Sequence, residues 1–116
     1  VWVALAEAEA QAGLIGAEQA ADLRAHQDEV DLGRALAIEA EIHHDVMAEI
    51  RAFAEQCPVG GGIIHLGATS TDITDNADVL RFAEALDLLL RRLDRLLLAF
   101  AEQIDAWADR PAMAWT

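Results

Sequence analysis

The sequence predicts an all-α fold: a small helical domain, residues 1–69, followed by one long helix that opens the segment 70–116. Three observations predict it. Alanine and leucine dominate the 116 residues, proline occurs only at Pro58 and Pro111, and tyrosine is absent. Apolar residues recur close to the 3.6-residue period over long stretches. Four of the seven glycines (Gly60, Gly61, Gly62, Gly67) crowd into one short window. Strong helix formers with a single glycine-rich interruption read as helices on either side of one turn region.

The elements follow in order. Residues 1–12 have high helix propensity and stop at Gly13, a suitable C-cap. The chain turns and restarts as a second short helix over 17–27. A third helix is predicted without a break from about Leu32 to Gln56, with Leu36, Ile38, Ile42, Val46, Ile50, Phe53 and Ala54 as its apolar stripe. Pro58 and the glycine triplet end it. Residues 58–69 are irregular, and "GIIHLG" within them is compatible with an extended strand. The last helix starts at Ser70–Ile73 and runs to about Asp109, some 55–60 Å at 1.5 Å per residue. Leu80, Leu88 and Leu98 lie off its main stripe, so it is apolar over more than half its circumference. Such a helix needs cover on several sides, more than the short helices before it can supply. The chain opens on Val1 already in helical sequence and closes on "MAWT" without a stop signal, so a longer parent polypeptide is expected.

Charge narrows the partners. Twenty-one acids face eight bases for a formal net charge of −13, and every base is an arginine. A Schiff-base lysine and a Walker-type phosphate loop are excluded within this segment. Nucleic acid and an anionic membrane are poor partners for such a surface. No apolar run is long enough to span a bilayer. The single cysteine, Cys57, has no intrachain disulfide partner, which fits a reducing cytoplasm.

The stretch "HLGATSTDITDN", residues 65–76, is the first candidate site. Thr69 and Asp72 have capping-box spacing, and Ser70, Thr71 and Asp72 are all able to cap the long helix, so ordinary capping explains some of these residues. A cap uses one or two side chains and leaves the others free. The same helix N-terminus offers unpaired N–H groups and a positive dipole end to a carboxylate or phosphate, with the titratable imidazole of His65 close by in sequence. The second candidate is His43-His44-Asp45, expected in the middle of the third helix, where consecutive residues point about 100° apart and no more than two can line one pocket. Adjacent histidines lack the spacing of a zinc site, and no metal is expected. Cys57 follows a helix's last turn with no base near it in sequence and is poorly placed for a nucleophile. Trp2, Trp107 and Trp115 read as packing anchors and His26 as surface. Arg34, Arg51, Arg91, Arg92 and Arg95 are explained by ion pairs along helix faces.

The strings "HHDVMAEIRAFAEQCP" and "GGIIHLGATSTDITDNADVLRFAEALDLLL" resemble the adenylosuccinate lyases of the fumarase/aspartase superfamily. The resemblance covers about residues 32–116, and "VWVALAEAEAQAGLI" is similar to the family's first helix. It rests on an H-D-V, an H-x-G-x-T-S and a D-N at the start of the long helix, with His44 and His65 twenty-one residues apart (65 − 44). The carboxymuconate cycloisomerases share the second motif without H-D-V. The resemblance implies a cofactor-free elimination of fumarate from adenylosuccinate and from SAICAR in purine biosynthesis. It also implies a homotetramer whose long helices form a central bundle, with each active site built from three subunits. Carried over by position, His43, His44 and Asp45 line the substrate pocket, with His43 standing where many members have arginine. Thr69 and Ser70 bind a substrate carboxylate, and His65 lies beside the substrate and assists.

That chemistry suits the residues. β-Elimination removes a weakly acidic C–H next to a carboxylate, and donors around that carboxylate stabilise the charge that accumulates there. The family's proton-transferring histidine is expected immediately after Thr116, and its catalytic serine much later. The segment is therefore expected to bind substrate without catalysing alone. Two other readings remain: an argininosuccinate or carboxymuconate type of lyase or cycloisomerase, and a non-catalytic helical assembly module.

Overall fold

The computed structural model describes residues 1–115, and all regular structure among them is helical. Thr116, where the expected Thr-His pair would begin, lies outside the described residues. The elements are α1 (Trp2–Gln11), α2 (Ala17–Ala25), α3 (Leu32–Ile42), α4 (Asp45–Gln56), a 3₁₀ turn (Gly61–Ile63) and α5 (Ser70–Trp107). The chain divides into a compact unit over Val1–Ala77 and a second unit from Asp78 onward.

Local chemistry sets each boundary. α1 ends in a Schellman arrangement: Gly13 takes φ 74°, its N–H donates to Ala10 O, and Leu14 N–H donates to Glu9 O at 2.9 Å. At the start of α2, Gln19 reaches back to accept the Gly16 N–H at 3.0 Å. Asp31 caps α3 by accepting the Arg34 N–H at 2.9 Å.

The predicted 32–56 helix is two helices, not one. His43 adopts a left-handed conformation (φ 53°, ψ 40°) that ends α3, and His44 is extended (φ −148°) and caps α4 by accepting the Met47 N–H. The apolar stripe persists on both sides because the two helices fold back on each other. Ile38 packs on Ala48 and Ala52, with Ala35 and Ile42 alongside. Arg34 near the start of α3 holds Glu55 near the end of α4 by a two-pronged pair at 2.8 and 2.7 Å. That pairing corrects the expectation of ion pairs along one helix face. Arg24 likewise reaches across to Glu7. The possible strand in "GIIHLG" is instead the 3₁₀ turn followed by further turns.

The core of the first unit gathers Ala6, Ala20, Leu23, Val46, Ile50, Cys57 and Ile64, with Trp2, Val3, Ile15 and Phe53 packed around it. The segment 57–64 is drawn tightly onto this core. A Cβ on Gly60 would meet Gln19 O at 2.5 Å, so only glycine permits the approach. The Gly60 and Val59 N–H groups donate to one carboxylate oxygen of Asp22 on α2, at 2.8 and 2.9 Å. His26, expected as surface, is half-buried, with Nδ1 2.8 Å from Asp22 O.

In the second unit α5 leaves its apolar residues open: Val79, Phe82, Leu86, Leu89, Leu93, Leu97, Phe100 and Ile104 are all roughly half exposed or more. Trp107 and Trp115 are exposed too, so of the three tryptophans only Trp2 is a packing anchor among the described residues. No described helix is long and apolar enough to cross a membrane.

Asp22 links this fold to pH. Its two backbone donors, Gly60 foremost, hold the carboxyl below the usual carboxylate range. A depressed folded value means stability that is fully present above the ordinary carboxylate pKa of about 3.9 and lost as pH falls through the folded one. Asp22→Asn, which keeps the shape but not the charge, is expected to unfold at lower urea concentration at pH 7. The gap between variant and wild type should narrow as the denaturation series is carried below the ordinary carboxylate pKa of about 3.9.

Candidate active site

The structure places the six predicted residues in two groups within the Val1–Ala77 unit. His43, His44 and Asp45 form the two-residue junction and first helical position between α3 and α4, and all three are exposed. The His44 Nδ1 accepts the Met47 N–H at 3.3 Å and lies 3.5 Å from Asp45 Oδ1, while Asp45 Oδ1 accepts the Val46 N–H at 2.7 Å. A nitrogen that accepts a backbone N–H carries no proton, so in this state the His44 ring presents Nε2–H outward. Asp45 also sits in the first turn of α4, where the helix dipole favours its charge.

The second group is built by the turn that delivers α5. Ile64 is buried in the core, and the next residue, His65, turns out in a left-handed conformation (φ 71°). Ala68 N–H closes the turn on His65 O at 3.3 Å, with Gly67 at φ 66° inside it. The buried carboxylate of Glu9 on α1 lies against this turn, 3.7 Å from where a Gly67 Cβ would stand, and its Oε2 has no partner among the described residues. His65 is half-buried and its Nδ1 accepts the Trp2 indole N–H at 3.3 Å.

Capping of α5 falls to Asp72. Its Oδ2 accepts the Thr69 N–H at 2.8 Å, the return arm of the capping box, and Asp72 N–H donates to Thr69 O at 3.0 Å. Thr74 and Asn76 bond back to Ser70 O and Asp72 O. Among the described residues the Thr69 and Ser70 hydroxyls make no hydrogen bond, and both reach solvent. The first N–H groups of a helix have no internal partner, so two free hydroxyls stand beside unpaired donors at a positive dipole end. That arrangement can receive an anion.

No hydrogen bond or ion pair joins the two groups among the described residues. An open cleft of about 370 Å³ lies in the same unit, lined by Trp2, Asp31, Glu49 and Phe53 among others, and contains none of the six. One cluster escaped the sequence reading: single ligand atoms of Asp22, His26 and Cys57 lie within 4.8 Å of one another. Its donors are already committed to the fold. Asp22 holds Val59 and Gly60, His26 Nδ1 lies against Asp22 O, and burial, with Asp22 and Glu29 adding to it, pushes the Cys57 thiol up to about 11. Spacing could not reveal this cluster, because residues 22, 26 and 57 meet only through the tertiary fold.

Comparison with known proteins bears on what this geometry serves. The adenylosuccinate lyase of Saccharomyces cerevisiae is 38% identical over the whole chain, and that of Schizosaccharomyces pombe 37%. The adenylosuccinate lyase of Pyrococcus horikoshii is 46% identical over 83% of the chain. The chain belongs to the adenylosuccinate lyase family. It spans about a quarter of the length of these curated relatives, 25% of the two yeast proteins and 22% of the archaeal one. No family model matches it.

His43 and His65 are the non-glycine residues with positive φ among the described residues. A left-handed backbone costs an L-residue roughly 1–2 kcal/mol, and glycine escapes that cost while losing some chain entropy. His43→Gly is therefore expected to raise the unfolding free energy of the chain by about 1 kcal/mol in a urea titration. A loss of stability would show that the His43 ring contributes packing that its exposed position does not suggest.

Proposed function

We propose that the chain is an N-terminal portion of an adenylosuccinate lyase that releases fumarate by β-elimination from adenylosuccinate, giving AMP, and from SAICAR, giving AICAR. The observation that carries this reading is the division of labour at the start of α5. Asp72 does the capping, and the Thr69 and Ser70 hydroxyls are left free beside the helix N-terminus.

The reaction needs those free donors. Taking a proton from the carbon next to a carboxylate drives negative charge onto the carboxylate oxygens. Hydroxyl and N–H donors already pointing at those oxygens stabilise that charge more than they stabilise the starting acid. Thr69, Ser70 and the first turn of α5 supply such donors. His65 stands beside them on a turn held by Trp2, placed to hydrogen-bond the substrate and assist proton transfer. His43, His44 and Asp45 form the other wall, with the His44 Nε2–H as a donor to an anionic substrate group. No cofactor or metal takes part in this scheme. The acid and base that move the main protons come from elsewhere in the parent enzyme, so the segment alone is inactive.

The domains are read accordingly: residues 1–69 as the small N-terminal domain and 70–116 as the first long helix of a central helical bundle. The open apolar residues of α5 support burial against further helices and assembly of the parent as a homotetramer. The lone, buried Cys57 suits a cytoplasmic enzyme.

In a full-length lyase carrying this segment, Thr69→Ala and Ser70→Ala are each expected to lower kcat/KM about thirtyfold or more, some 2 kcal/mol of transition-state stabilisation. Loss of adenylosuccinate followed by ultraviolet absorbance measures it. Turnover unchanged in both variants would favour a helical assembly module instead. In the same assay the 116-residue chain by itself should release no fumarate.

A further inference from the structure

We infer that Trp2 is a positioning residue that fixes neutral His65 as its Nε2–H tautomer, so that the ring offers the substrate a hydrogen-bond donor and not an acceptor. The inference deepens the lyase reading and rests on it for the statement that His65 faces substrate. The tautomer itself follows from the geometry.

An indole has one polar atom, Nε1, and it can only donate. In this structure it donates to His65 Nδ1 at 3.3 Å, across sixty-three positions of sequence. A neutral imidazole has one bare nitrogen and one protonated nitrogen. With Nδ1 accepting from Trp2, the ring proton sits on Nε2. A ring with its proton on Nδ1 would set N–H against N–H and lose the bond, leaving a half-buried indole donor unpaired.

The ring is also held in space. Trp2 meets His65 edge to face, with ring centres 6.4 Å apart and planes at 78°, and rests on Phe53 at 6.4 Å on α4. Phe53 packs on the main core, so the support runs from the core through Phe53 and Trp2 to His65. The left-handed backbone at His65 supplies the matching constraint from the other end of the side chain. Two χ angles remain between a fixed backbone and a fixed Nδ1, and little freedom is left to Nε2.

For the proposed elimination the consequence is a direction. A neutral ring that presents Nε2–H can donate a hydrogen bond to a developing anion, whereas with Nδ1 occupied by Trp2 it has no free nitrogen to act as the base that starts the reaction.

The test labels histidine nitrogens with ¹⁵N in the full 116-residue chain and assigns His65 by the signal lost in His65→Gln. Two-bond proton–nitrogen correlations then distinguish a bare nitrogen from a protonated one. Wild type is expected to show a bare Nδ1 and a protonated Nε2. Trp2→Phe keeps the aromatic contact and removes only the donor, and should shift both His65 nitrogen signals toward a mixture of tautomers. A proton on Nδ1 in wild type overturns the proposal, as do unmoved His65 nitrogen signals in a folded Trp2→Phe chain. If that variant does not fold, the wild-type tautomer decides alone. These readouts need no turnover, so the proposal can fail while the lyase reading stands, and the reverse.

Discussion

One carboxylate organises the Val1–Ala77 unit, which carries the candidate site. Asp22 on α2 accepts the N–H groups of Val59 and Gly60, thirty-seven and thirty-eight residues away, and fixes the irregular 57–69 segment against the helices. Backbone donors in a turn have no ladder to satisfy them, and a buried one left unpaired is costly. Asp22 removes that cost at buried Gly60 and pairs the exposed Val59 donor beside it, and the Gly60 backbone then lies so close to Gln19 that no side chain fits between. From this pinned point the chain has few options. Cys57 and Ile64 enter the core at the two ends of the segment, and His65, the next residue, is turned outward. The placement of His65 and of the α5 N-terminus is thus set largely by an interaction that touches neither.

Much of the fold was legible because helix periodicity and glycine punctuation are local signals. Gly13 closed α1, the glycine triplet marked the turn, and Ser70 to Trp107 matched the long apolar pattern. The break at His43–His44 was not legible, and the reason is physical. An apolar stripe at helical spacing looks the same whether the helix continues or reverses onto itself, since both arrangements bury the same face. No glycine or proline marks the reversal. Its signal is a histidine accepting left-handed geometry followed by a second histidine acting as an N-cap, roles that other residues fill far more often. The cross-helix pair Arg34–Glu55 was hidden because nearby acids in sequence suggested partners along the same helix, and Arg24–Glu7 exists only once α1 and α2 pack together.

The candidate site could be read from the sequence as residue identities and not as geometry. Motif spacing pointed to His43, His44, Asp45, His65, Thr69 and Ser70 but could not assign which side chain caps α5. The structure gives that duty to Asp72, and so releases the two hydroxyls. Nor could spacing couple Trp2 to His65, because that contact exists only once α1 lies against the 64–67 turn. Glu9 belongs to the same hidden set: an acid within α1 whose carboxylate is buried against Gly67.

Comparing the four left-handed positions separates geometric need from chemical need. Gly13 and Gly67 take positive φ where the backbone alone must turn, and glycine does this without a Cβ clash. His43 and His65 take the same conformation while carrying a large ring, at a cost of roughly 1–2 kcal/mol each. If reversal of the chain were the whole requirement, glycine would meet it at a smaller cost. His65 returns part of that cost by accepting from Trp2, whereas His43 is exposed at its junction. Under the proposed lyase reading, the strain held at this exposed imidazole, next to a second imidazole and an acid, is the cost of a wall shaped to receive a ligand.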